Sequence, residues 1–110
     1  MMKRKLKQEE IDLITYMIKD TSEGQKIIDK LDSLIVEEMD DGGMGSLRVV
    51  VEGMDDRRTS GILKDIDLYD IDGVLLVISV ILDTEDNLYE LDIFKGDFSP
   101  LKKFPLVPIL

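Results

Sequence analysis

The segment Asp72–Phe94, DGVLLVISVILDTEDNLYELDIF, restricts the possible folds more than any other part of the chain. Val74–Leu82 is apolar apart from Ser79, a pattern that suits a strand covered on both faces. Asp83–Asn87 carries turn-forming side chains. Leu88–Phe94 then alternates, with Tyr89, Leu91 and Ile93 on one side and Glu90 and Asp92 on the other. Together they read as an antiparallel hairpin of one deeply buried strand and one strand with an acidic face.

Upstream, Ile11, Leu13, Ile14, Met17 and Ile18 recur at three- and four-residue intervals between Gln8 and Asp20, the spacing of an amphipathic helix. Ser22 with Gln25 has the form of a capping box, and Ile27, Ile28, Leu31 and Leu34 continue a helical stripe. This predicts a second short helix ending near Asp32 or Ser33. Beyond Ser33 the period changes to two. Leu34–Val36 and Leu47–Val51 predict a hairpin whose turn, Asp40–Gly43, is of the kind that needs positive φ. A charged break at Asp55–Arg58 precedes a strand in which Ile62, Ile66 and Leu68 alternate with Leu63, Asp65 and Asp67. Asp70–Gly73 then turns the chain into the long apolar run. The expected architecture is one α+β domain over residues 1–110, two N-terminal helices packed on an antiparallel meander sheet of about five strands. The prolines after Gly96 exclude helix and central strand, so an extended tail is predicted, its Phe98, Leu101 and Phe104 covering the domain's own surface. An exposed partner-binding peptide over Phe104–Leu110 is the alternative.

Function is narrowed mainly by what is missing. With neither histidine nor cysteine, the usual proton shuttle, thiolate nucleophile and transition-metal ligands are lacking. The formal charge is −10, and six basic residues, Lys3, Arg4, Lys5, Lys7, Lys102 and Lys103, lie near the ends. The body between them therefore carries all 24 acidic side chains against eight basic ones. Such a body repels phosphate backbones, which argues against nucleic acid and favours a basic protein surface as partner. The apolar run is far short of the roughly 20 residues a membrane helix needs. The basic start passes straight into Gln8, Glu9 and Glu10, without the apolar core of a secretory signal. No membrane contact and a cytoplasmic location are expected.

Carboxylates are the remaining site chemistry. Asp65, Asp67, Asp70 and Asp72 flank the entry to the apolar strand, and Glu90 and Asp92 share one face of the next. Oxygen-rich clusters can hold Ca²⁺ or Mg²⁺, yet Asp70, Asp72 and Gly73 lack the further ligands of a calcium loop. The plainer reading is that Asp70 and Asp72 cap a turn while Glu90 and Asp92 form a solvated face. Paired carboxylates also perform hydrolytic chemistry where their environments differ, but neither a Gly-x-Ser-x-Gly elbow nor a Ser-x-x-Lys arrangement accompanies them. The glycines of Asp41–Ser46 could cradle an anion, but Asp40 and Asp41 would repel phosphate; tight backbone geometry explains the glycines better. Met44 among them is an adaptable apolar contact.

The segments DGGMGSL (Asp41–Leu47), YDIDGV (Tyr69–Val74) and ELDIFKGDFSPLKKFP (Glu90–Pro105), with the helix EEIDLI, resemble a small bacterial family of uncharacterised proteins of about this length. The likeness runs over nearly the whole chain, and the last segment is its most specific part. It implies a single domain in a non-secreted bacterial setting and transfers no activity. It also singles out Asp41, Gly42, Gly43, Met44, Gly45, Glu90, Asp92, Lys95 and Asp97. By association, the family is similar to the small acidic immunity proteins of bacterial toxin systems.

The expected function is a non-enzymatic, acidic protein-binding module, of the kind an immunity-type inhibitor would use to mask a basic protein surface. Its expected contacts are Asp65, Asp67, Glu90 and Asp92, with Met44 as an apolar anchor, and no cofactor or metal is expected. The alternatives are a carboxylate-based metal-binding or hydrolytic domain, and a structural homo-oligomer.

Overall fold

The computed structural model describes residues 2–53 and 56–108. Asp55 of the predicted charged break and the last two residues of the predicted partner peptide lie outside the described residues. The described elements run β1 (Lys3–Lys5), α1 (Gln8–Ile18), α2 (Gly24–Ile28), a 3₁₀ turn (Leu31–Ser33), β2 (Ile35–Glu38), β3 (Leu47–Val49), β4 (Thr59–Tyr69), β5 (Leu75–Asp83) and β6 (Leu88–Lys95). The fold class is α+β, as the sequence predicts.

α1 forms where the apolar spacing places it. Leu13, Ile14, Met17 and Ile18 are buried on its inner face, each contributing about 1.5–3 kcal/mol of transfer free energy. Glu9 and Glu10 sit in its first turn, where negative charge complements the helix dipole, and the Glu10 carboxylate accepts the Lys7 backbone N–H at 2.7 Å. The helix stops at Ile18, whose carbonyl accepts the Thr21 hydroxyl at 2.7 Å. α2 corrects the predicted capping box. It begins at Gly24, and the Ser22 hydroxyl donates to Glu23 at 2.7 Å instead of to a backbone amide. Leu31 and Ser33 belong to the separate 3₁₀ turn.

The sheet has six strands in the order β1-β2-β3-β6-β5-β4, every neighbouring pair antiparallel. Two features correct the expected meander of about five strands. β1 has no apolar alternation and becomes a strand by pairing with β2, Arg4 lying opposite Val36. Arg4 then reaches the helix side and binds both oxygens of Glu10, at 2.8 and 2.9 Å. In addition, β3 skips β4 and β5 to pair with β6, setting Leu47 opposite Leu91.

The core lies between the helices and one sheet face. Val36, Leu47, Val49, Leu76, Ile78, Val80, Leu91 and Ile93 are buried there beneath the α1 stripe. The unbroken apolar run predicts a β5 covered on both faces. Helices cover one of them, and on the other Val77 and Ile81 are half-buried. Cross-strand neighbours shelter that side: Phe94 stands opposite Val77, and Glu90 and Ile62 flank Ile81. Ile62 thus lies on the face of Asp65 and Asp67 and not, as the alternation predicts, with Ile66 and Leu68, because the register shifts between Ile62 and Lys64. In the tail, Leu101 and Phe104 pack against the core as predicted, with Val107 beside them. Phe98 differs, remaining 72% exposed while meeting the Phe94 ring edge-on at 5.1 Å between centroids.

Candidate functional site

Strand register decides which predicted site residues meet. Asp65 lies opposite Ser79 and Ser79 opposite Asp92, while Asp67 lies opposite Val77 and Glu90 opposite Ile81. Directly opposed residues point to the same side of an antiparallel sheet. Asp65, Asp67, Glu90 and Asp92 therefore share the face turned away from the helices, spread over β4 and β6 with β5 between them. Met44 is elsewhere. It sits half-buried in the glycine-rich turn, its sulfur accepting the Lys95 backbone N–H at 3.2 Å.

The four carboxylates differ in environment. Asp65 and Asp67 are exposed and make no ion pair among the described residues. Glu90 is paired with Arg48 at 3.2 Å, and the Arg48 guanidinium lies 5.3 Å from the centre of the Tyr89 ring. Asp92 is half-buried. Burial pushes its carboxyl above the usual carboxylate range; the Ser46 hydroxyl pulls it back, and the negative charge of Asp41 raises it further. Asp41 is held nearby because its two oxygens accept the Met44 and Ser46 backbone N–H groups at 3.1 and 3.0 Å.

A second cluster occupies the end of the core. Leu91, Ile93 and Lys95 fall on one side of β6 by their two-residue spacing, and Lys95 is fully buried with them. Its ammonium donates to Asp70 Oδ2 at 2.8 Å, Asp72 Oδ2 at 2.7 Å and the Pro100 carbonyl at 3.1 Å. Those three acceptors match the three donors an ammonium possesses. Asp70 in turn accepts the backbone N–H groups of Ile71, Lys102 and Lys103. Burial alone would raise the Asp70 carboxyl, but the bonds from Lys102, Lys95, Ile71 and Lys103 outweigh it and hold the group well below the ordinary range. The Leu101 N–H closes the arrangement by donating to the Gly43 carbonyl at 3.0 Å. Segments Tyr69–Val74 and Glu90–Pro105 of the family resemblance thus meet around the Lys95 ammonium, while Asp41–Leu47 reaches the same residue through its backbone N–H, at Met44.

Sequence reasoning read Asp70 and Asp72 as turn caps, and each does accept a turn amide, from Ile71 and Val74 respectively. It missed that both clamp Lys95. The available signal was parity, which puts a lysine two residues beyond Ile93 on the inward side. It also missed Arg57, which donates to Asp83 at 3.1 Å and to the Val49 carbonyl at 2.8 Å while facing the Tyr89 ring at 4.9 Å. This pair forms one wall of a half-open cleft of about 240 Å³ with apolar Ile27, Leu34, Val51 and Leu88. Among the described residues, no three carboxylates converge closely enough to hold a metal ion. Chemically, the outer face offers exposed negative charge beside apolar side chains, whereas the Lys95 cluster is internally satisfied.

The chain belongs to the family described as Domain of unknown function (DUF6984), which matches residues 3–105. No curated protein and no solved structure matches it. Among the described residues, no helix is long and apolar enough to cross a membrane.

Proposed function

We propose that this member of the family is a non-enzymatic, acidic protein-binding module that turns the open face of its sheet towards a basic surface of another protein. The observation that carries the reading is the common face of Asp65, Asp67, Glu90 and Asp92, with Ile62 and Tyr69 exposed by 58% and 69% on the same side. Separated negative charges steer a basic partner and select against acidic ones, while exposed apolar and aromatic side chains supply the contacts that hold it. Asp92 supports the same reading. Its ionised form is disfavoured by burial and by Asp41, a cost that an incoming ammonium or guanidinium would offset. An inhibitor of the immunity type, acting in a bacterial cytoplasm, is the functional class that fits such a surface.

The test compares the protein with an Asp65→Asn/Asp67→Asn/Asp92→Asn variant as baits in native lysate, across a salt series, with captured chains identified by mass spectrometry. The expected result is a basic partner held by the unmodified protein, weakened by salt and lost with the variant. Capture that is indifferent to salt and to the three substitutions would refute the proposal.

A further inference from the structure

The free edge of β4 carries a preference of its own. Among the described residues this strand pairs on one side only, with β5, and it extends over Thr59–Tyr69. The opposite edge strand, β1, spans only Lys3–Lys5. A long exposed edge is a template for another chain unless bulges or charges blunt it. The first part of β4 is blunted in this way, its register with β5 shifting between Thr59 and Gly61 and again between Ile62 and Lys64. From Lys64 opposite Val80 to Tyr69 opposite Leu75 the register is unbroken. In that regular run Asp65, Asp67 and Tyr69 project from the outer face, all exposed.

Charge decides what can pair there. A second copy of the chain, joined across a two-fold axis with its faces matched, could pair five residues of the run in two registers. One sets Asp65 of each copy opposite Asp67 of the other; the second sets Asp67 opposite Asp67. Like charges directly opposed are destabilising, whereas opposite charges in the same positions are stabilising. The run therefore disfavours its own copy and favours a strand with lysine or arginine at alternate positions. Beyond Tyr69 the edge leads to a notch of about 200 Å³ formed by Tyr69 and Ile71 with Lys103, Phe104, Pro105 and Leu106 of the tail, where the Lys103 ammonium disfavours a further cation and leaves the apolar walls for an uncharged side chain. Tyr69, Ile71 and Leu106 are strongly exposed, so the notch presents uncovered apolar surface in line with the strand.

We infer that β4 between Lys64 and Tyr69 is extended by a basic, strand-forming polypeptide segment. The segment's cationic side chains lie over Asp65 and Asp67, and an apolar side chain beyond them enters the notch against Tyr69 and Leu106. This rests on the reading of the chain as an acidic protein-binding module and gives that module a binding mode and a partner class. Main-chain hydrogen bonds along the edge would supply affinity, and the alternate side chains selectivity.

The experiment titrates the isotopically labelled full chain with a synthetic peptide that begins with leucine and then alternates lysine with valine, so that antiparallel pairing sets the leucine beyond Tyr69. The same peptide with alternate backbone amides N-methylated serves as its control. The expected result is saturable binding of the first peptide, slowed hydrogen exchange of backbone amides within Lys64–Tyr69, and binding weakened about tenfold or more by N-methylation. The Asp65→Asn/Asp67→Asn variant should bind about tenfold more weakly, as the loss of two opposed charge pairs requires. Equal binding of the two peptides, without protection on β4, would overturn the edge mode and leave the acidic-face reading standing. If neither peptide binds saturably, both fall. A dimer in sedimentation whose formation protects the same amides would overturn the inference in favour of self-pairing.

Discussion

The Lys95 ammonium lies 2.8 Å from Asp70 Oδ2, and neither side chain reaches solvent. A buried pair of this kind contributes little relative to an apolar filling of the same volume, but removing one partner leaves a charge stranded in the core. Its visible consequence is positional, because the same Asp70 carboxylate binds the backbone of Lys102 and Lys103 and thereby fixes the tail.

Asp70→Asn should therefore loosen the tail as well as the core. The amide retains one acceptor oxygen for a group that now serves the ammonium and three backbone N–H donors. A fall in Tm on the order of 10 °C is expected by calorimetry. Trypsin cleavage after Lys102 or Lys103 should accelerate under native conditions, and an unchanged cleavage rate would contradict the clamp.

The pH dependence follows from the direction of each shift. Asp70, Asp72 and Asp97 are held below the ordinary value of 3.8, so the unfolded chain takes up their protons first as pH falls. Their stabilisation is complete above about pH 5 and is lost as pH drops through 3.8 towards the lower folded values. Lys95 runs the other way. Burial lowers its value, but the bonds to Asp70 and Asp72 prevail and raise it above 10.5, so its contribution is present below that value and lost as pH climbs through the folded one. Urea midpoints should stay level across neutral pH and fall at both extremes, the acid limb being shallower in Asp70→Asn. An acid limb that begins near neutrality would contradict this assignment.

Asp92 has the opposite sign to the other aspartates. Its folded value is raised, so the folded state binds the proton more readily, and stability declines as pH rises from 3.8 through the folded value. At neutral pH the ionised group remains a net cost. Asp92→Asn should raise the urea midpoint at neutral pH, and the gain should vanish in acid, where the native carboxyl is protonated too. A lower midpoint at neutral pH would show that the charge is compensated within the fold. A stabilised variant that loses its partner would instead mark the cost as one retained for binding.

Two glycines of the same turn should respond differently to alanine. Gly45 has φ +101° and would place a Cβ 3.2 Å from Leu101 Cδ2, whereas Gly42 has φ +76° and open space around it. Gly45→Ala combines backbone strain with displacement of the tail and is expected to cost about 1–3 kcal/mol. Gly42→Ala bears the strain alone and should cost less, about 1 kcal/mol. Chemical denaturation of the two variants measures the difference, and equal losses would separate the turn from the tail.

Local pattern made much of this fold legible. The spacing of Leu13, Ile14, Met17 and Ile18 gives α1, and the alternation after Asn87 gives β6 and its acidic side. Elements formed by distant partners were not legible. Lys3–Lys5 has no strand pattern of its own, and nothing local indicates that Leu47 should meet Leu91. The candidate site divides along the same line. The shared face of Asp65 and Asp92 required the register of both with Ser79, which alternation suggests but cannot align. The setting of Met44 against Lys95 depended on the turn folding back over the sheet end, a tertiary relationship.

The adjacency of β3 and β6 also imposes an order of events on the ribosome. Leu47 emerges 44 residues before Leu91, the residue it pairs with, so the early helices and first hairpin wait without their main partner. β4, β5 and β6 are joined by short turns and can assemble among themselves as they emerge, offering a ready surface to the segment already made. A chain halted before Leu88 would thus expose the apolar side of everything upstream, and its survival in the cell would depend on chaperones until translation resumed.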